Sequence, residues 1–270
     1  MYSKWLWVLA VLPLVTGWRW PGQARPSKPA EPTAEEQTLH QMRQDLGAVV
    51  KREPPRPIRM LLVPGGRVAN CSATWGVAMG RLASDVAKVI LLYPPSALGN
   101  QPGQQILLPD CQEIPTLAGK IAVEQTLKTR LMRESGQFQS ITLSAQQLSC
   151  VSEPVAMLSL MLRPVQVLPM FLTNDTQLAN LTAILTEILQ DHQTVLLAFL
   201  DADDPRACSP QWTEQVLHSD IKQLPCSIQT MDALMPRLGL EVFPVSLAQM
   251  RLPENARQAV AESLLFIESA

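Results

Sequence analysis

Three aspartates are the residues of this chain best suited to bind a cation. Asp201, Asp203 and Asp204 directly follow Thr194–Leu200, an apolar run with the length and composition of a buried strand. Carboxylate oxygens are the ligands that Mg²⁺ and Ca²⁺ prefer in proteins. The same residues, followed by Pro205, also fit a polar turn in which an aspartate caps the next segment. The sequence leaves both interpretations open.

The loops after the first two predicted strands supply further candidate site residues. Residues 58–63 and 86–93 are apolar runs that end at proline and glycine, and a helix is predicted between them. Strand, helix and strand in this order form a βαβ unit with parallel strands. Because ligands bind outside the carboxyl ends of such strands, we expect a cleft there. The candidate residues from these two loops are Gly65, Gly66, Arg67, Cys71, Ser72 and Ser96.

Two of the candidates have a functional and a purely structural interpretation. Backbone N–H groups at Gly65-Gly66 together with the Arg67 guanidinium are suited to an anion. The structural alternative is a tight turn with an exposed arginine. Cys226 lies near the start of a helix predicted over residues 227–238, where the pKa of a thiol is lowered. Its structural alternative is a small buried hydrophobic residue.

Strands and helices alternate along the chain, which predicts an α/β fold with a mainly parallel sheet covered by helices on both faces. Strands are predicted at residues 58–63, 86–93, 139–143, 165–172, 194–200 and 240–247. Helices are predicted from a capping box at Thr33 to residue 51, then at 75–83, 120–134, 175–189, 211–224 and 227–238. Ser72 or Thr74 is the predicted cap of the second helix. Residues 155–162 and 257–267 are open between helix and strand.

An N-terminal hydrophobic segment precedes this domain. Residues 5–18 are uncharged and apolar, which fits the core of a signal peptide, and Gly22-Gln23-Ala24 offers a small-x-small cleavage site. Its tryptophans equally fit a short retained anchor. We expect residues 1–20 to be a signal peptide or anchor, with membrane contact through residues 5–20, so that the protein is membrane-associated or exported. Residues 21–56 are a Pro-rich linker and a leading helix, and residues 57–270 are the α/β domain.

Composition excludes several classes of function. The net charge of −2, with no stripe of lysine and arginine, argues against a nucleic-acid partner. The five cysteines form no CxxC pair, and no P-loop, GxGxxG, GxSxG or HExxH motif is present. The three histidines, His40, His192 and His218, fall away from the predicted strand ends, so we expect no metal ligand among them.

The order of elements from about residue 35 to 268 resembles the Memo-like family, also called AmmeMemoRadiSam system protein B, which shares its fold with class III extradiol ring-cleavage dioxygenases. PPRPIRMLLVP is similar to the lead into that family's Pro-His-Ala-Gly-Tyr motif, and KVILLYPPSA is similar to its strand ending in Gly-Pro-Ser-His. VQVLPMFLTND and TVLLAFLDADD resemble its later strands, the second of which ends in Ser-Ser-Asp-Phe-Ser-His. CSIQTMDALMPRLGLEVFPVSL resembles the segment with a cysteine at a helix start.

The departures from the family pattern carry the functional expectation. Gly65 and Ala97 stand where the family has its first two metal-binding histidines, and Asp204 or a gap replaces the histidine that follows Asp201. Cys226 retains the family's cysteine. A 2-His metal site needs imidazoles at fixed strand ends. The resemblance therefore implies a domain with no metal and no cofactor, which binds an unknown protein or small ligand. The alternative is an enzyme that uses Cys226 with Asp201 or Asp204.

The resemblance also places Cys226 at the same cleft as Cys71. In an exported domain these two cysteines would be able to form a disulfide, provided that their Cα atoms lie within about 7 Å. In a reducing compartment both would remain thiols. Separate burial of the two side chains is the alternative.

Overall fold

A mixed sheet runs through the described part of the chain, with ten strands in the order β4-β5-β7-β2-β8-β1-β10-β9, while β3 and β6 branch from β7. The computed structural model describes residues 32–47, 57–65, 68–82, 84–99, 101–162, 164–200, 226–246 and 262–268. The strands are β1 (Ile58–Pro64), β2 (Lys88–Tyr93), β3 (Ile106–Pro109), β4 (Glu113–Thr116), β5 (Gly119–Val123), β6 (Phe138–Ile141), β7 (Gln166–Phe171), β8 (Thr194–Leu200), β9 (Leu240–Ser246) and β10 (Glu262–Glu268).

The helices are α1 (Ala34–Gly47), α2 (Val68–Met79), α3 (Gln125–Glu134), α4 (Ala145–Met161), α5 (Leu178–Ile188) and α6 (Cys226–Leu238), with a short 3₁₀ helix at Pro95–Leu98. α1, α2 and α4 contact one another, as do α5 and α6, and Arg130 of α3 pairs with Glu187 of α5 at 3.1 Å. From β1 through α2 to β2 the chain advances toward β4, whereas from β7 through α5 to β8 it advances toward β9. Right-handed crossovers in opposite directions place their helices on opposite faces of the sheet.

The four central strands confirm the predicted parallel core. β7, β2, β8 and β1 lie side by side and pair in parallel. Every residue of β1 and β8 is buried, as expected for strands that are covered by helices on both faces. The antiparallel pairs are β1 with β10, β10 with β9, β4 with β5, and a single contact of β3 with β7. The predicted α/β class with a mainly parallel sheet is therefore confirmed.

The helix predicted over residues 120–134 is wrong in its first part. Residues up to Val123 form β5, in which Ile121 and Val123 are buried and Ala122 is exposed, the period of a strand. α3 begins only at Gln125, because the Glu124 side chain accepts a hydrogen bond from the Leu127 N–H and caps the helix there. The strands β3 and β4, each of four residues, were also not predicted.

The predicted start and cap of the second helix are also wrong. α2 runs from Val68 to Met79, so Ser72 and Thr74 lie inside it and not at its N-cap. Trp75, which was predicted to begin the helix, lies in its middle and is 1% exposed, and its indole Nε1–H donates to the carbonyl of Pro64 at 3.0 Å. This contact ties the centre of α2 to the end of β1, which places the start of the helix near the strand.

The two segments left open by the sequence now have an assignment. Residues 155–162 fall largely in α4, which begins at a capping box formed by Ser144 and Gln147. The C-terminal segment is the strand β10, which pairs in antiparallel register with β1 and β9. The predicted helix at residues 211–224 lies outside the described residues.

α1 packs closely against α2 at a glycine. A Cβ atom at Gly76 would lie 3.2 Å from the backbone carbonyl carbon and oxygen of Asp45 in α1. Met42 of α1 is fully buried. The leading helix therefore belongs to the unit formed by residues Ala34–Ala270.

We predict that Gly76→Ala lowers the free energy of unfolding by about 1–2 kcal/mol, because the new methyl group must displace the backbone of α1. Gly136→Ala is the matched control, since no atom lies within 4 Å of its Cβ position, and it should change stability by less than about 0.5 kcal/mol. Denaturant unfolding of the full-length chain measures both. A stabilised Gly76→Ala variant would show that helix propensity outweighs the close contact.

Candidate functional site

The carboxyl ends of β1 and β8 lie side by side where the chain leaves the sheet in two directions. The Gly65 N–H donates to the Leu200 carbonyl at 2.8 Å, which holds the two strand ends together. β1 leads to α2 on one face, whereas α6, the next described helix after β8, contacts β8 from the opposite face. Such a switch point opens a crevice in which α/β sheets bind ligands. The predicted cleft at the end of this strand pair is consistent with this arrangement and stays a prediction.

The structure describes only part of the predicted set of residues at this cleft. Gly65, Cys71 and Ser96 are described. Gly66, Arg67, Asp201, Asp203 and Asp204 lie outside the described residues, as do the side chains of Ser72 and Cys226. The predicted cation site, the anion site and the cysteine–aspartate pair accordingly stay predictions.

Cys71 is a buried thiol on α2 that faces the end of β1. It is 2% exposed, and its Sγ lies 3.5 Å from the carbonyl oxygen of Gly65. Together with the Trp75 indole on the Pro64 carbonyl, this contact fastens the first turn after β1 to α2. The predicted partner of Cys71 in a disulfide, Cys226, marks the first residue of α6, and its side chain is outside the described residues.

Ser96 lies in a short helical turn after β2. The 3₁₀ helix Pro95–Leu98 ends at Gly99, whose φ of 76° is left-handed and whose N–H donates to the Ser96 carbonyl at 2.9 Å. Ser96 is half-buried, and Ala97 packs against the core. Ala97 therefore contributes apolar contact at this edge.

A row of three stacked aromatic rings crosses the carboxyl edge of the sheet. Phe171, Tyr93 and Phe199, which we call the aromatic row, stand at or next to the ends of β7, β2 and β8. The Tyr93 ring centroid lies 4.9 Å from that of Phe171 and 4.6 Å from that of Phe199, with interplanar angles of 19° and 14°. Trp75 meets Phe199 edge-on at 6.4 Å. Parallel register puts these rings on one face, that of α2.

The aromatic row was not predicted from the sequence, because the candidate site residues were identified by polar and ionisable side chains. The signal was present, since each ring is the last or second-last residue of a predicted or observed strand. In a parallel sheet, residues at equivalent strand ends become lateral neighbours. Aromatic residues that recur at the ends of adjacent parallel strands therefore predict contact between their rings.

The Tyr93 hydroxyl is a buried polar group that has no hydrogen-bond partner among the described residues. The residue is 4% exposed, and among the described residues its oxygen has no hydrogen bond. Burial raises the pKa of Tyr93 well above its ordinary value, and the nearby Cys150 of α4 raises it further. The phenol is therefore neutral at physiological pH. A buried hydroxyl that lacks a hydrogen bond costs about 1–3 kcal/mol relative to a satisfied one.

A hydroxyl network fixes the neighbouring loops at this edge. Thr173 Oγ1 lies 2.6 Å from the Gly103 carbonyl and 2.7 Å from that of Gln105, and it contacts Thr176 Oγ1 at 3.2 Å. The Asp175 N–H donates to the Gly103 carbonyl at 3.0 Å. Gly103 has a φ of 132°, which a side chain rarely adopts. The loop after β2 is thus fastened to the loop after β7, beside the aromatic row.

The described part of the carboxyl edge offers aromatic faces, backbone groups and one neutral phenol. Among the described residues no group of three or more His, Cys, Asp or Glu side chains is arranged to hold a metal ion. Of the histidines, His40 is exposed on α1, His192 lies in the turn between α5 and β8 at the opposite edge, and His218 is outside the described residues. The rings and the phenol are themselves buried, so they shape this edge from within the core.

The chain matches no known protein-family model and no curated protein.

We predict that Tyr93→Phe raises the free energy of unfolding by about 1 kcal/mol, because it removes a buried hydroxyl that lacks a partner and keeps the stacked ring. Phe171→Leu is the companion variant. It removes a ring of the aromatic row and should lower stability by about 0.5–1.5 kcal/mol. Thermal and denaturant unfolding measure both. A Tyr93→Phe variant that is less stable than the parent would show that the hydroxyl has a partner in solution.

Proposed function

We propose that the chain is a degenerate Memo-like domain that acts by binding a protein or a small ligand at the carboxyl edge of its sheet. The observation that carries this proposal is the pair of strand ends of β1 and β8, where the Gly65 N–H donates to the Leu200 carbonyl and where α2 and α6 contact opposite faces of the sheet. This is the arrangement at which α/β sheets bind ligands. The proposal is supported by Gly65 and Ala97, which stand at strand ends where the resembling family has imidazoles. Neither residue has a side chain able to ligate a metal.

The chemistry of the edge favours a partner that is largely apolar. The rings of Phe171 and Phe199 enclose Tyr93, and the phenol is a neutral hydrogen-bond donor. An anion would gain little from an edge that lacks a described cation. The net charge of −2 argues against nucleic acid as this partner.

The alternative proposal is an enzyme that uses Cys226 with Asp201 or Asp204 and needs no metal. The start of α6 at Cys226 favours it, because the N-terminus of a helix lowers the pKa of a thiol and increases the fraction of thiolate. A thiolate at this position would act as a nucleophile, with an aspartate orienting the reacting group.

We propose further that residues 5–20 bring the protein to a membrane, either as a retained anchor or as an export signal that is cleaved. This segment is outside the described residues, and among the described helices none is long and apolar enough to cross a membrane. The uncharged, Trp-rich run and the following Pro-rich linker support the proposal.

Cell fractionation tests the membrane proposal. We expect the full-length chain to fractionate with membranes or to be exported, and a chain that begins at Pro32 to do neither. The mass of the recovered N-terminus distinguishes cleavage after Ala24 from a retained anchor. Equal distribution of the two chains, with an intact N-terminus in the cytosol, would contradict a role for this segment.

We predict that the purified full-length chain contains far less than one equivalent of iron, copper or zinc, because the positions of two family ligands are Gly65 and Ala97. Elemental analysis of the parent and of Cys226→Ser, both from metal-supplemented growth, measures this. One equivalent of a transition metal that is lost in Cys226→Ser would overturn the binding-domain proposal.

The parent chain and Cys226→Ser also distinguish the thiol enzyme from the binding domain. An activated Cys226 would be alkylated by iodoacetamide at a pH well below about 8.5, the ordinary pKa of a thiol. Cys71→Ser is the control, because Cys71 is buried and should not contribute to this fast phase. Ordinary alkylation kinetics at Cys226 would dismiss the thiol enzyme and leave the binding domain.

A further inference from the structure

A groove of about 240 Å³ opens at the amino edge of the sheet, opposite the aromatic row. It lies between α3 and α5, above the first residues of β2 and β8. Its lining residues are Lys88, Glu124, Thr126, Leu127, Arg130, Glu187, Ile188, Asp191 and Thr194. The groove is smaller than the roughly 300–1,000 Å³ of a site for a drug-sized ligand, and it suits a short side chain or a small molecule.

A buried carboxylate lies in the wall of this groove. Glu124 is 6% exposed, and one of its oxygens accepts the Leu127 N–H at the start of α3. Its other oxygen has neither a hydrogen bond nor an ion pair with any described residue. The capping bond uses only one of the two oxygens, so the carboxylate has capacity for a donor from the groove.

The other charges of the groove are already paired. Arg130 pairs with Glu187 at 3.1 Å and with Glu134 at 3.9 Å, and Lys88 pairs with Asp191 at 3.3 Å. Partial burial opposes ionisation of Asp191, but the Gln193 N–H, the Thr194 hydroxyl and the Lys88 ammonium outweigh it and hold the pKa of Asp191 below its ordinary value. Lys88 and Arg130, the two cations that line the groove, thus pair with Asp191 and Glu187. Glu124, the third carboxylate of the groove, has no cation partner among the described residues.

We propose that this groove binds a primary alkylammonium group, with the ammonium on Glu124 and the alkyl stem against Leu127 and Ile188. An ammonium has three N–H donors and no acceptor, which suits a carboxylate with an open oxygen. A single positive charge neutralises the groove, and the two apolar side chains remove the stem from water. The same chemistry is found in a free amine and in the lysine side chain of a partner protein.

The test is an NMR titration of the full-length chain with n-butylammonium chloride at constant ionic strength. The Leu127 amide reports on the site, because its N–H donates to Glu124. We expect saturable shifts with a Kd on the order of 1–10 mM, and none with n-butanol, which has the same stem without the charge. Comparison with Nα-acetyl-lysine methylamide distinguishes the sources, since tighter binding of that compound favours a protein lysine and tighter binding of butylammonium favours a free amine.

Glu124→Gln keeps an oxygen for the Leu127 N–H and removes the charge, so it should weaken butylammonium binding about tenfold or more. Glu113→Gln is the matched control, because Glu113 is exposed and pairs with Lys120 at 3.1 Å away from the groove, and its affinity should equal that of the parent. Thr126→Trp, at an exposed position of the lining, fills the groove without removing the cap and should also weaken binding. Absence of a saturable shift in the parent chain, or parental affinity in both Glu124→Gln and Thr126→Trp, would overturn the proposal.

Discussion

A buried guanidinium joins the first strand of the fold to the end of α5. Arg59 of β1 is 3% exposed, and its Nη2 donates to the carbonyl of Leu189 and, at 3.1 Å, to that of Asp191. Carbonyls at the C-terminus of a helix carry partial negative charge, so they are the natural partners of a cation. Burial of an unpartnered guanidinium would be prohibitive. β1 and the turn between α5 and β8 must therefore lie together, and β1 becomes the neighbour of β8.

That turn also sets the register of the next strand. The Asp191 carboxylate accepts the Gln193 N–H at 3.0 Å, the Thr194 hydroxyl at 2.9 Å and the Lys88 ammonium at 3.3 Å. The N–H groups of residues 87 and 88 both donate to the Gln193 carbonyl. A shift of one residue between β2 and β8 would break these contacts and turn every side chain to the other face. The stacking of Tyr93 on Phe199, at the far end of the strands, is thus a consequence of polar contacts at the amino edge.

The limits of prediction from sequence follow from the kind of signal that each element carries. The four central strands β1, β2, β7 and β8 were predictable, because a long apolar run bounded by proline, glycine or aspartate is typical of a buried strand. β5 was hidden because Leu127 and Leu131 of α3 extend an apolar pattern backward over Ile121 and Val123. The start of α2 was misplaced because Ser72 is a good cap in isolation, whereas the contact of Trp75 with Pro64 is tertiary and has no local signature. The aromatic row depends on the order of strands in the sheet, and no local sequence pattern specifies that order.

The two edges of the sheet differ in chemistry, and this difference bears on function. At the amino edge the described ionisable groups Arg59, Lys88, Arg130 and Asp191 make hydrogen bonds and ion pairs, and Glu124 caps α3. At the carboxyl edge the described strand ends meet in aromatic stacking, with Tyr93 neutral among them. The predicted ionisable candidates Arg67, Asp201, Asp203 and Asp204 follow β1 and β8 in the sequence and lie outside the described residues. The described strand ends of the carboxyl edge are thus held together by buried aromatic packing, whereas the described amino edge is held together by hydrogen bonds and ion pairs.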